Sequence, residues 1–140
     1  MAYSLSFSKS ILVLLFISDK TNRGETAFIS AKYMSEFLDI PKPTLSAMLN
    51  NLIRAGILQS KEGINGGVRM AKSEDKITLL DLLTAIESGK PLFQTDYKLN
   101  VKGKRPDSAV KAVNSILNKV EMTIKNDLKK TTLKDILNSM

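Results

Sequence analysis

KPTLSAMLNNLIRAGILQSKEGINGGVRMAK, residues 42–72 of a 140-residue chain, begins with the pattern of a short helix. Pro43 suits a first helical turn because its φ is fixed, and apolar residues follow it at helical spacing. These are Leu45, Leu49 and Leu52, which lie four and three residues apart. Ala55-Gly56 ends the helix, since glycine adopts the left-handed cap conformation without a steric penalty.

The same stretch continues as a tight β-hairpin. Residues 58–61 predict one strand and residues 68–72 its return, joined by a turn over residues 63–67. Asn65-Gly66-Gly67 supplies the positive-φ residues that such a turn needs. The pattern therefore predicts a helix that is followed at once by a hairpin, or wing.

Another helix precedes this stretch. Ser30 is a good helix cap, and apolar residues at helical spacing follow it over residues 31–38. Residues 39–42 form a compact turn, because Pro41 and Pro43 exclude one continuous helix. Two helices joined by a short turn and followed by a hairpin have the layout of a winged helix-turn-helix, which predicts binding to double-stranded DNA.

The composition narrows the chemistry that the chain can perform. It is 43% hydrophobic, enough for a compact domain with an appended helix, and its formal charge of +7 favours a polyanionic partner. It contains no Cys and no His, which excludes disulfides, thiolate or imidazole metal sites and histidine bases. No residue spacing suggests a paired-carboxylate or nucleophile-base site. We therefore expect no enzyme activity, no metal and no cofactor, and the composition is compatible with a reducing cytoplasmic location.

The apolar run at residues 11–17 predicts the buried first helix of the core. Its seven residues fall far short of the roughly 20 that cross a bilayer. No small-residue cleavage site follows, so the run is not that of a signal peptide. We expect no membrane partner, and residues 27–29 predict a brief strand.

After the hairpin, the sequence predicts a helix and a loop. Residues 73–76 form a polar turn, and Thr78 with Asp81 makes a capping signal for a helix that ends before Gly89 and Pro91. Residues 91–106 read as a basic connecting loop. Against Asp96 as its only acid, this loop holds Lys98, Lys102, Lys104 and Arg105.

A long helix is predicted from Asp107, its expected cap, to about Leu128. It carries a heptad-like apolar stripe, for which a second copy of the chain is the simplest partner and an intrachain helical bundle the alternative. The candidate dimer interface consists of Val110, Val113, Leu117, Val120 and Ile124. Thr131-Thr132 then starts a short terminal helix.

The predicted fold class is mainly α with a small β-hairpin wing. Residues 1–90 form the winged helix-turn-helix DNA-binding domain, and residues 91–106 the basic connecting loop. Residues 107–140 form the long dimerisation helix and a short C-terminal helix.

Several motifs occur in an order that is typical of one family. They are Leu5-Ser6 before a helix, AGIL at residues 55–58, the glycine-rich wing, ITLLDLL at residues 77–83 and TLKDIL at residues 132–137. In these motifs the chain resembles the Rrf-two (BadM/IscR-type) winged-helix transcription regulators over nearly its whole length. The resemblance implies a homodimer on a palindromic operator, which in many members acts as a repressor.

The chain departs from the pattern of that family at two places. Well-known members use three cysteines in the loop before the long helix to hold an iron-sulphur cluster, whereas residues 91–106 contain none. Cluster sensing of that kind is therefore excluded. Members often carry Arg-Gly-Pro-Gly-Gly-Gly-Tyr in the wing, and Glu62 stands where they have the wing arginine. Lys61 or Arg69 can take over the contact with the DNA backbone.

The candidate DNA contacts lie on the second helix of the motif and around it. A recognition helix turns a polar face to the base edges, where hydroxyl groups, methyl groups and Asn amides each suit particular bases. The predicted base contacts are Thr44, Ser46, Ala47, Asn50 and Asn51. The predicted phosphate and wing contacts are Lys9, Lys42, Arg54, Lys61, Asn65, Gly66, Gly67 and Arg69. Ordinary solvent exposure is the alternative for the side chains, and turn stereochemistry is the alternative for the glycines.

Two functions stay open on the sequence alone. The leading one is a homodimeric DNA-binding transcription regulator, a repressor without a metal cluster. The alternative is a protein-interaction module that docks a partner enzyme, which Glu62 and the uncharged helix face favour. The sequence identifies no effector, although a small molecule could bind near Leu92, Phe93 and Tyr97, residues that otherwise anchor the loop.

Overall fold

The computed structural model describes residues 5–140 and is mainly helical, with one two-stranded antiparallel sheet in that range. This confirms the predicted fold class. The helices are α1 (Leu5–Asn22), α2 (Ala31–Leu38), α3 (Lys42–Arg54), α4 (Leu79–Glu87), α5 (Lys104–Lys130) and α6 (Leu133–Asn138). The strands are β1 (Leu58–Lys61) and β2 (Gly67–Met70). The polar turn predicted over residues 73–76 contains a 3-10 helix at Glu74–Lys76.

Local hydrogen bonds shape the turn between α2 and α3. The helix α2 ends at Leu38, and its C-cap residue Asp39 has a left-handed backbone conformation with φ 53°. The N–H of Ile40 donates to the carbonyl of Ser35 at 3.2 Å, and the Ser35 hydroxyl donates to the carbonyl of Ile40 at 2.6 Å. Ile40 is buried, so this short turn is also anchored to the core.

The helix α3 has the beginning and the end that its sequence predicts, within one residue. It begins at Lys42, and Pro43 lies in the first turn, where its missing N–H costs no helical hydrogen bond. At the other end, Gly56 has φ 75°. The N–H of Gly56 donates to Ile53 and the N–H of Ile57 donates to Leu52, each at 3.0 Å. This is the Schellman arrangement, which satisfies the last carbonyls and turns the chain into β1.

The hairpin pairs with a third segment at a single residue. Ile29 and Val68 exchange two backbone hydrogen bonds of 2.9 Å, so the strand predicted at residues 27–29 is reduced to one bridge. Gly67 has φ 145°, and a Cβ atom there would overlap the carbonyl of Ile29. A Cβ atom on Gly66 would similarly overlap the carbonyl of Lys61. Close backbone approach therefore requires both glycines. The positive φ angles of the turn belong to Gly63 and Gly67, so the prediction that Asn65 and Gly66 also supply them was wrong.

The buried apolar residues form one core cluster to which most of the described elements contribute. The helix α1 supplies Val13, Leu14 and Ile17, which confirms it as a buried core helix. The remaining members include Leu45, Leu49 and Leu52 of α3, Leu58 and Val68 of the hairpin, Leu82 of α4 and Leu133 of α6. Within residues 5–140, no helix is long and apolar enough to span a membrane.

The C-terminal end of the chain returns to the start of α4. Thr78 and Thr132 form an antiparallel bridge, and each begins its own helix with a capping box, to Asp81 and Asp135. The side chain of Leu133 is fully buried in the same core as α1. The short terminal helix therefore packs on the winged helix-turn-helix rather than standing apart from it.

The helix α5 begins earlier than its sequence predicts. The expected cap was Asp107, but the helix starts at Lys104, and Gly103 occupies the cap position without a side-chain hydrogen bond. The N–H of Asp107 makes the first bond of the helix, to the carbonyl of Gly103 at 3.2 Å. Pro106 lies in the first turn, where its backbone nitrogen needs no partner, so it does not stop the helix.

Gly67→Ala is expected to lower the free energy of unfolding by about 2–4 kcal/mol, because it adds left-handed strain and a clash with the carbonyl of Ile29. The matched control is Gly24→Ala, which also has positive φ but open space around its Cβ position. The control should cost only about 1 kcal/mol. Urea denaturation measures both. Equal losses in the two variants would show that the Ile29–Val68 bridge contributes little.

Candidate nucleic-acid interface

The exposed side of α3 is polar and nearly uncharged. Leu45, Met48, Leu49 and Leu52 are buried, which fixes the rotation of the helix about its axis. Four of the predicted base contacts lie together on its exposed surface, namely Thr44, Ser46, Ala47 and Asn50. The fifth, Asn51, is half-buried. It lines a cleft that also contains residues of α4, so it lies at the edge of this surface.

The wing presents two cations beside an aromatic ring. The core side of the hairpin holds Leu58 and Val68, and alternation turns Lys61 and Arg69 outward. The Arg69 guanidinium lies 4.7 Å from the ring centre of Phe28, and the Lys61 ammonium lies 5.6 Å from it. Arg69 Nε also donates to Gln59 Oε1 at 2.9 Å across the strand pair. These contacts position both cations without neutralising them.

Phe28 was not among the residues singled out from the sequence. It lies in the segment before α2, and its contact with the wing depends on the Ile29–Val68 bridge. The available signal was an aromatic residue directly before a strand-like residue, which does not reveal a partner some 40 positions away. The structure thus adds Phe28 as the residue that supports the wing cations.

The tip of the wing is solvent-exposed. Ile64 is fully accessible, and Asn65 and Glu62 are exposed as well. No ion pair neutralises Glu62 in the part of the chain that the structure describes. The tip therefore offers a carboxylate as well as the backbone of Gly66 and Gly67.

The remaining predicted phosphate contacts lie in different places. Lys42 and Arg54 are exposed at the two ends of α3. Arg54 also lines the cleft with Asn51, which has a volume of about 510 Å³ and extends to Lys72 and Ser88. Lys9 is half-buried on α1, whose main packing partners are α4, β2 and α6. The main packing partners of α3 are α4, α2 and β1, and α1 is not among them.

The helix α5 packs antiparallel to α4, and the N-terminal part of α5 extends beyond the end of α4. Its C-terminal end meets the start of α4, where the carbonyl of Thr131 accepts from the N–H of Leu79 at 2.9 Å. Closer to its middle, the carboxylate of Glu121 accepts from the backbone N–H groups of Leu92 and Phe93, just after α4. Residues 104–120 extend beyond this point over about 25 Å, at about 1.5 Å per residue.

Glu121 fastens the start of the connecting loop to α5. Burial raises the pKa of its carboxyl, but the N–H groups of Leu92 and Phe93 and the nearby Lys125 ammonium outweigh it, so the pKa lies below its usual value. Lys125 lies 3.3 Å from the carboxylate. Leu92 and Phe93 thus anchor the loop, while Tyr97 is exposed.

The predicted dimer stripe divides into two faces of α5. Val110, Leu117 and Ile124 are half-buried within the chain. Val113 and Val120 are each 42% exposed, and between them Ile116 is 61% exposed. With Ala109, these three form an apolar strip of four residues on the projecting part of the helix, which we call the α5 strip. No residue of α5 is fully buried.

A family model described as "Rrf2: Iron-dependent Transcriptional regulator" matches residues 3–139 of the chain. The chain belongs to the Rrf2 family. This confirms the resemblance inferred from the sequence motifs, and it makes the protein a DNA-binding transcription regulator of that family.

The chain is also similar to curated proteins that are named as HTH-type transcriptional regulators. The chain is 27% identical over 138 residues to a protein of Lactococcus lactis subsp. lactis that is named as the HTH-type transcriptional regulator YffB, covering 97% of this chain and 86% of that one. It is 40% identical over 64 residues to a Synechocystis sp. protein named as the HTH-type transcriptional regulator slr0846, covering 46% of this chain and 44% of that one.

Solved structures share the Rrf2 fold. T. potens IscR superposes with a TM-score of 0.69 at 21% identity, covering 99% of this chain and 88% of that one. CymR, the global cysteine regulator of B. subtilis, superposes with a TM-score of 0.70 at 20% identity, covering 100% of this chain and 98% of that one. At these identities the likeness concerns the fold alone.

The residues of this Rrf2 protein do not fit an iron or iron-sulphur site. The chain has no Cys and no His, so it lacks both thiolate and imidazole ligands. Over residues 5–140, the acidic side chains form no group of three or more that could hold a metal ion. The iron dependence in the family description therefore has no ligand set here.

Proposed function

We propose that this chain is a homodimeric transcriptional repressor that binds a palindromic operator and works without a metal cluster. The observation that carries the proposal is the exposed polar side of α3, with cations at both its ends and on the adjacent wing. A repressor of this kind acts where chromosomal DNA lies, so the proposal implies a cytoplasmic location. Its signal is a separate question that the proposal leaves open.

In this proposal, α3 enters the major groove and reads bases through small side chains. The hydroxyl groups of Thr44 and Ser46 can donate to or accept from base edges, and the Ala47 methyl suits contact with a thymine methyl group. Asn50, and Asn51 at the edge, can form paired hydrogen bonds with adenine. The supporting observation is that the buried leucines hold these residues at the surface together.

Phosphate contacts position the helix on the duplex. Lys42 and Arg54 flank the base-reading residues, while Lys61 and Arg69 extend from the wing with Asn65, Gly66 and Gly67 at its tip. Lys9 completes the predicted set, although its place on α1 gives it the weakest support. Such contacts supply affinity without sequence preference.

The α5 strip supports the homodimer. Ala109, Val113, Ile116 and Val120 recur at spacings of four, three and four, which is the pattern of a coiled-coil seam. A second copy can cover this strip while each half-buried face stays with its own chain. Two winged domains related by two-fold symmetry would then face half-sites about one helical turn apart.

A protein-interaction module remains the second candidate, because of the wing. Glu62 is exposed and unpaired within residues 5–140, and it would face the phosphates if the wing lay on DNA. Selection of duplexes from a random pool by the purified protein distinguishes the two functions. Enrichment of a palindrome supports the repressor, whereas no enrichment and no binding at low salt support the interaction module.

Arg54→Ala and Lys61→Ala are each expected to weaken binding to all duplexes. Each should reduce the slope of log affinity against log salt by about 1.8 in a dimer, or about 0.9 for each lost phosphate contact. Fluorescence anisotropy over a salt series measures this slope. Lys119→Ala removes an exposed charge on α5 and serves as the control. Slopes equal to that of the control would exclude Arg54 and Lys61 from the interface.

Thr44→Ala is expected to change the preference among operators rather than the salt dependence. Loss of one base contact should reduce discrimination at a single base pair by about 1–3 kcal/mol. Competition between the selected operator and single-base variants measures the effect, with Lys61→Ala as the control that weakens all sequences equally. An unchanged ranking of the operators would contradict the assignment of Thr44.

Val113→Asp is expected to convert the dimer into a folded monomer, because it buries a charge in the α5 strip. Asn118→Asp adds the same charge at an exposed position away from the strip and should leave the dimer intact. Sedimentation velocity reports the oligomeric state, and circular dichroism reports the fold. A Val113→Asp variant that stays dimeric would place the interface elsewhere.

A further inference from the structure

The segment before and at the start of α5 concentrates positive charge. Residues 98–105 contain Lys98, Lys102, Lys104 and Arg105 and no acidic residue; we call them the basic segment. We propose that the basic segment binds phosphates of duplex DNA outside the base pairs that α3 reads. This inference rests on the proposed function, since it assigns an additional contact surface to the same complex.

The basic segment is exposed and lacks partners within the described chain. All four of its cations are exposed, and so are Leu99 at 52% and Val101 at 65%. The ion pairs among residues 5–140 join Lys20 to Glu25, Arg23 to Asp19 and Lys125 to Glu121, and none includes these four cations. Their charges are therefore available to a partner.

Two of these cations lie at a position in the fold that is electrostatically unfavourable for positive charge. Lys104 and Arg105 occupy the first turn of α5, the positive end of the helix dipole, and Gly103 provides no side-chain cap. The first turn of α5 also carries Asp107, as those of α4 and α6 carry Asp81 and Asp135, but in α5 two cations accompany the single carboxylate. A polyanion would relieve the repulsion that these cations create.

The basic segment follows α4 in the chain and ends in the first turn of α5. The cleft lined by Arg54, Lys72 and Ser88 brings the end of α3 next to the end of α4. The chain leaves α4 from this point, through the exposed Lys90, and reaches the basic segment after the anchors at Leu92 and Phe93. Along the chain, exposed cations therefore follow one another from Arg54 and Lys72 through Lys90 to the basic segment.

Duplex DNA is the polyanion that the remaining observations favour. The residues of α3 that face outward between Lys42 and Arg54 are uncharged, and the wing carries Glu62 among its cations. Non-specific affinity for DNA comes almost entirely from neutralised phosphates, which occur at about one per 1.7 Å of the helix axis. The four cations of the basic segment would add to the phosphate contacts proposed for the ends of α3 and for the wing.

The test compares two full-length variants that each lose four positive charges. The first replaces the cations of the basic segment as K98Q, K102Q, K104Q and R105Q. The control replaces exposed lysines at other sites of α5 and α6 as K119Q, K129Q, K130Q and K134Q. Anisotropy over a salt series is measured with a short duplex limited to the selected half-sites and with a longer duplex that includes flanking DNA.

On the longer duplex, the basic-segment variant should show a smaller salt slope than the control, by about 0.9 for each lost phosphate contact. On the short duplex, the difference should shrink, while the selected base sequence stays the same. Equal slopes for the two variants on the longer duplex would overturn the inference and leave the proposed function intact.

Two other outcomes are decisive. If the unmodified protein binds no duplex, the proposed function fails, and the inference fails with it. If vesicles of phosphatidylglycerol and phosphatidylcholine bind the control but not the basic-segment variant, while duplex slopes are equal, the basic segment belongs to a membrane contact and the inference is overturned.

Discussion

Burial of one side of α3 is the constraint on which the remaining structure depends. Leu45, Met48, Leu49 and Leu52 fill the centre of a core shared with α1, the hairpin and α4, so α3 cannot rotate without opening cavities. The opposite side is thereby held at the surface with small polar side chains. The same burial sets where the Gly56 turn leads into β1, and hence where the wing lies relative to the exposed side of α3.

Backbone contacts between distant segments complete this arrangement. The Ile29–Val68 bridge joins the segment before α2 to the wing, and the Thr78–Thr132 bridge joins the start of α4 to the start of α6. The second bridge brings Leu133 into the core and fixes the C-terminal end of α5. The projecting part of α5 exposes the α5 strip on one face, while Val110 and Leu117 on another face stay half-buried within the chain.

This Rrf2 protein has no soft ligands for an iron-sulphur cluster, since its sequence contains no Cys and no His. In this chain the connecting loop is anchored through the Glu121 carboxylate, which holds the backbone of Leu92 and Phe93. After that anchor, the loop is exposed and basic instead of cysteine-bearing. The loop can therefore interact with a partner mainly through its positive charges. It connects the winged helix-turn-helix to the start of α5.

The sequence by itself determined the local elements of this protein. Local signals act through neighbouring residues, so they identified the helices, the wing and the family-like order of motifs. These signals are Pro41 and Pro43, Gly56, the turn at residues 63–67 and the capping signal of Thr78 with Asp81. The start of α5 was wrong because Asp107 is a good cap, whereas a proline in a first turn gives no local warning. Only the tertiary structure decided the Phe28 contact with the wing, the division of the α5 stripe into an inner and an exposed face, and the return of α6 to the core. Each of these depends on packing between residues far apart in the chain, where periodicity shows that a face is apolar but not which surface covers it.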